Sequence, residues 1–307
     1  MAKTIRYKDD GKIELFEKVV PDPGPGEVQV QGGACGICSW DIATAKYGRQ
    51  FKPMAPPGHE GVGYVVKVGS EIRNLREGDR VAGGGFSTKR NLLESRVRKI
   101  PQSDLPDEYW IVEPVSCIVT GIDHCRIKPG DRIALIGCGF MGQLLLQVLI
   151  RSPLDSLVAI DVIRSRLDLA EDIGVAEVYE ADQVDPVELH DRGFDVVIDT
   201  SGSQDGLSLA TDIVRPGGLI NLFGWIKGKK ANFDPTKWHL GGFTVVNSSP
   251  TAKTRETFGP AIRLIQKGII RLKPLVTHTS TLDDYPVLME KIVSGDKSYV
   301  KGVVLLS

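Results

Sequence analysis

Cys35-Gly36-Ile37-Cys38, Gly58-His59-Glu60-Gly61 and Glu113-Pro114-Val115-Ser116 carry the side chains from which a metal site could be built. One thiolate, one imidazole and one carboxylate give zinc three protein ligands and leave a fourth position open, the arrangement of a catalytic rather than a structural zinc. A closed four-cysteine site is excluded, because no second Cys-x-x-Cys occurs. By spacing alone, Cys38 reads more readily as a buried apolar thiol and His59 as a hydrogen-bonded turn residue.

A second constellation is Gly137-Cys138-Gly139-Phe140-Met141-Gly142, which directly follows the apolar run Arg132–Ile136 and opens a helical pattern. That context lifts G-x-G-x-x-G above a bare match. The glycines permit a tight turn, close approach of a pyrophosphate and close helix-to-strand packing, and the helix N-terminus offers N–H groups and a partial positive charge. Nineteen residues after Gly142, Asp161 ends the next apolar run. A carboxylate there accepts hydrogen bonds from both ribose hydroxyls and repels a 2′-phosphate, favouring NAD over NADP. Arg164 and Arg166 temper that preference, since a guanidinium accommodates a phosphate.

The elements that must position these groups change texture along the chain. Up to about residue 100, short β-rich runs (12–17, 27–31, 63–68 and 79–81) alternate with turn signals such as the proline- and glycine-rich segment 21–26. From 132 onward, runs at 132–136, 157–161, 177–179, 195–199, 218–223 and 243–247 read as strands, with helices at 141–151, 165–173 and 205–214 between them. This is an α/β pattern, a doubly wound parallel sheet of six strands. The tail returns to mixed texture: helices near 254–267 and 282–293, strands at 275–278 and 300–305, completing the first domain. The expected division is a catalytic domain over 1–120, completed by 260–307, around a nucleotide-binding domain over 121–259.

Composition agrees with two globular domains: 307 residues, 41% hydrophobic and 25% charged. A net charge of −1 supplies no basic field for nucleic acid or an anionic membrane, so a small-molecule partner is expected. The N-terminus has no apolar core of a signal peptide and the apolar stretch 144–150 is too short to span a bilayer, so a cytoplasmic location is expected. Five cysteines, an odd number spread through a large chain, argue against a disulfide framework.

The chain resembles the zinc-dependent medium-chain dehydrogenase/reductase family, nearest to its polyol (sorbitol-type) and sugar dehydrogenase branch. The resemblance rests on Gly36-Ile37-Cys38 with Asp41, Gly58 to Gly63, Glu77-Gly78-Asp79-Arg80-Val81, Glu113-Pro114, Gly137 to Gly142, Arg215-Pro216-Gly217-Gly218 and Val300 to Val304. It implies a GroES-like β-rich catalytic domain made from both chain ends and a central Rossmann domain. It implies one catalytic zinc on Cys38, His59 and Glu113, with Glu60 an alternative or transient ligand, and NAD held by Gly137, Gly139, Phe140, Met141, Gly142, Asp161, Arg166 and Lys301. Asp41 falls where the family orients its histidine ligand, and Lys301 where a basic residue reaches towards the pyrophosphate and the carboxylate after that histidine. The implied reaction is reversible oxidation of a secondary alcohol of a polyol, sugar or cyclitol by a homodimer or homotetramer.

The departures are informative. Trp40 stands where most members carry Ser or Thr, and Ala43 where many carry a relay histidine, so the usual proton wire is missing. No cysteine lies between Ala82 and Lys99, so no structural zinc is expected. Trp40 is a candidate for the floor of the substrate pocket, as an aromatic face for a sugar or cyclitol ring, and Trp225, expected near the nicotinamide, is a candidate for its lining. Two alternatives remain: a zinc-free NADPH-dependent quinone or enoyl reductase of the same superfamily, and a catalytically silent binding protein.

Overall fold

Glycines and prolines cut the first hundred residues into short strands, and a computed structural model shows how they pair; it describes residues 1–48, 57–224 and 230–306. The chain opens with β1 (Ala2–Tyr7) and β2 (Ile13–Lys18), an antiparallel hairpin. There follow β3 (Glu27–Gly36), α1 (Ser39–Tyr47), β4 (Glu60–Val68), β5 (Arg80–Ala82), β6 (Lys89–Leu93) and β7 (Arg98–Lys99), then α2 (Val112–Cys125).

The next stretch alternates strictly: β8 (Arg132–Ile136), α3 (Phe140–Leu149), β9 (Ser156–Asp161), α4 (Arg164–Asp172), β10 (Glu177–Glu180), α5 (Pro186–Arg192), β11 (Phe194–Asp199), α6 (Gln204–Ile213), β12 (Val214–Leu222), α7 (Pro235–Gly241) and β13 (Thr244–Asn247). The tail adds α8 (Phe258–Gln266), β14 (Val276–Thr281), α9 (Tyr285–Val293) and β15 (Lys301–Leu305). Two compact units result: Met1–Val115 with Phe258–Ser307, and Ser116–Thr257.

In the first unit the strands order as β14-β15-β3-β4-β5-β7, with β6 also on β3. The C-terminal strand β15 lies beside β3, pairing Val304 with Cys35, so both chain ends build one sheet. In the second unit β10-β9-β8-β11-β12-β13 is all parallel, with the crossover between β8 and β11 that marks a Rossmann sheet. Its core is Val, Ile, Leu and Ala from strands buried on both faces, among them Ala134, Val158, Ile160, Val197 and Ile220, all fully buried. Each such aliphatic side chain withdrawn from water contributes about 1.5–3 kcal/mol, Ala less, which outweighs the modest propensities of these short elements. The GroES-like and Rossmann-like folds expected from the sequence are both present. Among the described residues no helix is long and apolar enough to cross a membrane.

The structure also supplies helices that apolar periodicity does not reveal. α5 and α7 are each seven residues long and begin at a proline preceded by an N-capping aspartate: Asp185 accepts from the Val187 N–H, Asp234 from those of Thr236 and Lys237. The tail helix read at 254–267 starts only at Phe258.

Candidate functional site

In the antiparallel β3–β4 pair, Gly36 at the end of one strand lies opposite Glu60 at the start of the other. The chain leaving β3 reaches Cys38, the N-cap of α1, and the chain entering β4 carries His59. This pairing converges three ligand types: the ligand atoms of Cys38, His59 and Glu60 all lie within 4.8 Å of one another. Glu113, second residue of α2 and half-buried, lies outside that group. The two cysteines of Cys-x-x-Cys part company, for Cys35 is buried in an apolar cluster with Ile37, Phe86 and Tyr285.

Gly36 explains how the carboxylate fits. A Cβ there would sit 2.1 Å from Glu60 Oε2, so any side chain would expel Glu60 from its place. Lys301 approaches the same oxygen, its Nζ 2.5 Å from Glu60 Oε2, and donates a hydrogen bond to the Ile37 carbonyl at 2.9 Å. Both charged side chains are nearly inaccessible, at 4% and 3% exposure. Burial disfavours the Lys301 ammonium, but Glu60, Tyr299 and Cys38 overcome that and hold its pKa above the ordinary lysine value. Of the two targets expected for Lys301, the structure shows the carboxylate after the histidine.

Asp41, buried at 4% exposure, ties the two ligand segments together. Its Oδ2 accepts the Cys38 N–H at 2.9 Å and its Oδ1 the Gly58 N–H at 3.3 Å. Burial pushes this carboxyl up to about 6, against the pull of His59 and of those N–H bonds. Trp40, half-buried, is the second residue of α1. Trp225 lies outside the described residues.

Burial, with the Glu60 charge behind it, raises the Cys38 thiol far above its usual range. The lone thiol therefore stays protonated at neutral pH, and only a bound cation would draw its proton away. Thiol, imidazole and carboxylate form a mixed S, N, O set of the kind zinc accepts, with Lys301 balancing one of the negative charges. Zinc uptake should accordingly release the Cys38 proton, and affinity should rise by about tenfold per pH unit between about pH 7 and 8. Competition with a chromophoric chelator at both pH values measures the slope; a flat response would mean that Cys38 does not ligate as thiolate.

In the second unit the glycine turn joins β8 to α3. Gly137 has φ +92°, and a Cβ on Gly142 would lie 2.1 Å from the Gly137 carbonyl oxygen, so helix and turn close together only without that atom. Gly139, the N-cap of α3, faces space instead: the nearest atom to a Cβ there is Arg166 Nη1 at 3.9 Å. Phe140 and Met141 form the first turn of α3, Phe140 buried and Met141 half-buried. Asp161 ends β9 as expected, but its oxygens already serve the backbone: Oδ2 accepts the Cys138 N–H at 2.5 Å and Oδ1 the Ile163 N–H at 2.8 Å. Arg166 stands beside it, Nη1 3.8 Å from Oδ2. Gly142→Ala should abolish dinucleotide binding while leaving zinc content unchanged, as intrinsic fluorescence titration and metal analysis of one preparation would show; unaltered cofactor affinity would remove the turn from the site.

Gly36 and Tyr299 are residues at this site that the sequence alone does not mark. Gly36 sat inside a motif but faced a partner that only strand register reveals. The Tyr299 ring packs at Gly302, Cε2 3.2 Å from where a Cβ would stand, and Lys301, Glu60 and Cys38 all act on its phenol.

The profile of the alcohol dehydrogenase GroES-like domain matches residues 24–102, and that of the zinc-binding dehydrogenase family matches 141–267. An alcohol dehydrogenase of Rhizobium meliloti is 30% identical, with 72% of this chain and 76% of the relative aligned. D-arabinitol dehydrogenase 1 of Uromyces fabae is 27% identical over 94% of this chain and 93% of its own. The crystal structure of galactitol-1-phosphate dehydrogenase from Escherichia coli superposes with a TM-score of 0.88 at 21% identity, covering 99% of both chains, a likeness of fold.

Proposed function

The chain belongs to the zinc-type medium-chain dehydrogenase family, and on that premise we propose that it reversibly oxidises a secondary alcohol of a polyol, sugar or cyclitol to the ketone, with NAD as hydride acceptor. One observation carries the reading: Cys38, His59 and Glu60 present a thiol, an imidazole and a carboxylate within 4.8 Å. These three would hold a single zinc, Glu60 serving as the resting carboxylate and Glu113 as the second carboxylate that the resemblance brings forward. When bound, zinc supplies Lewis acidity that lowers the pKa of a substrate hydroxyl.

The chain's own residues do the rest. Asp41 holds the Cys38 and Gly58 backbones at fixed spacing. Lys301 compensates Glu60, so a buried carboxylate is tolerated next to the ligand thiol. The Gly137–Gly142 turn offers N–H groups to a pyrophosphate, and the Asp161 carboxylate sets a negative charge against a 2′-phosphate. The D-arabinitol dehydrogenase relative supports a polyol as the substrate class. A homodimeric or homotetrameric assembly in the cytoplasm completes the reading.

The test is a panel of pentitols, hexitols and cyclitols, each with NAD and with NADP, followed at 340 nm. Turnover of a secondary alcohol with NAD, at least about tenfold better in kcat/KM than with NADP, is the expected result. Reduction of an enone or quinone by NADPH, with every alcohol inert, would overturn it.

A further inference from the structure

Asp41 receives a third hydrogen bond, from a part of the chain remote in sequence. The Tyr7 hydroxyl donates to Asp41 Oδ1 at 3.4 Å and lies 2.8 Å from the Tyr285 hydroxyl. An ionised carboxylate is acceptor-only, so the single Tyr7 proton points to Asp41 and the Tyr285 proton must point to Tyr7, a one-way chain of two phenols ending on the carboxylate. Tyr285, the first residue of α9, is fully buried, and Tyr7 ends β1. The hairpin bearing Tyr7 is itself seated on α1: a Cβ on Gly11 would lie 2.3 Å from the Ala45 carbonyl oxygen. Tyr7, Tyr285, Ile42 and Ala45 belong to a single apolar cluster, so the hydroxyls are carried by a packed frame rather than by mobile surface chains.

Resting on the reading of Cys38, His59 and Glu60 as a zinc site, we infer that Tyr7 and Tyr285 are positioning residues for the metal: their hydroxyls hold Asp41 in its bridge between the Cys38 and Gly58 backbones, so the N-terminal hairpin and α9 set the spacing of the ligands. Both phenols act through Asp41. A purely stabilising role for two buried phenols predicts a different set of observables. Loss of fold stability lowers the unfolding midpoint and leaves the ligand field of a bound metal unchanged. Loss of ligand spacing weakens the metal and alters its spectrum in a chain that is still folded. Outer partners of metal ligands typically contribute 10–100-fold in metal affinity.

The experiment compares the full chain with Tyr7→Phe and Tyr285→Phe in zinc affinity, by chelator competition, and in the visible d–d spectrum of the cobalt(II)-substituted protein. Tyr7→Phe is expected to weaken zinc by about tenfold and shift the cobalt bands, and Tyr285→Phe to move both in the same direction by less. Tyr285→Phe keeps the Tyr7–Asp41 bond, so it carries the test by itself if Tyr7→Phe does not fold. Unchanged zinc affinity and superimposable cobalt spectra in the folded variants would overturn the inference while leaving the metal reading intact. A wild-type chain that takes up neither ion would instead overturn the metal reading, and the inference with it.

Discussion

Cys38→Ala is expected to take the chain from near one zinc to near none and to lower alcohol oxidation by about 10³-fold or more, because a catalytic Lewis acid contributes several kcal/mol to the barrier and about 4 kcal/mol corresponds to that factor. The substitution removes a single sulfur from a half-buried position, so thermal stability of the metal-free chain should change little. Cys35→Ala is the internal control. Cys35 is fully buried among Ile37, Phe86 and Tyr285, so its loss should cost about 1 kcal/mol of stability and leave zinc content at the wild-type level. The pair, three residues apart and opposite in effect, separates ligation from packing; equal metal loss in both would mean a general collapse of the β3–α1 corner.

Lys301→Met should produce the second large effect, and its size depends on the metal. Removing one partner of a buried ion pair leaves the other uncompensated, a penalty of about 3–5 kcal/mol. In the metal-free chain Glu60 would be that orphan, at 3% exposure with the Lys301 ammonium as its ion-pair partner. A cation held by Cys38, His59 and Glu60 would itself neutralise the carboxylate. Urea unfolding of Lys301→Met should therefore show most of its loss with a chelator present and recover a large share of it with zinc. An identical loss under both conditions would show that Glu60 does not share its charge with the metal.

These effects trace to parts of the molecule of unequal legibility. The Rossmann unit is legible in outline, since β8 and the glycine turn follow one another and the central strands β8, β9 and β11 are largely buried, mostly apolar runs. Where periodicity failed, as at α5 and α7, another signal was present: Asp185-Pro186 and Asp234-Pro235 are N-cap and first-turn pairs, too short to generate an apolar stripe but chemically specific. The candidate site divides differently. Cys38 and His59 stand out once the family resemblance is added to their residue types, whereas the choice between Glu60 and Glu113 does not, because two carboxylates have the same chemistry. What sets Glu60 beside the other two is the register of β3 on β4 and the absence of a side chain at Gly36, a long-range pairing that no local pattern encodes.

Lys301 shows the same limit from the other end of the chain. Its hydrogen bond to Ile37 spans 264 positions and exists only because β15 is laid beside β3. Asp161 is legible at the end of its strand, yet its commitment to the Cys138 and Ile163 N–H groups follows from the shape of the glycine turn rather than from spacing. Tyr7 and Tyr285 carried no motif at all, and only the folded hairpin and α9 bring their hydroxyls to Asp41.

Elemental mass spectrometry on chain purified without chelator from zinc-supplemented medium decides whether Cys38, His59 and Glu60 form a zinc site. Close to one zinc per chain, retained through gel filtration, is expected. A chain that is folded and carries no zinc under those conditions would contradict that assignment.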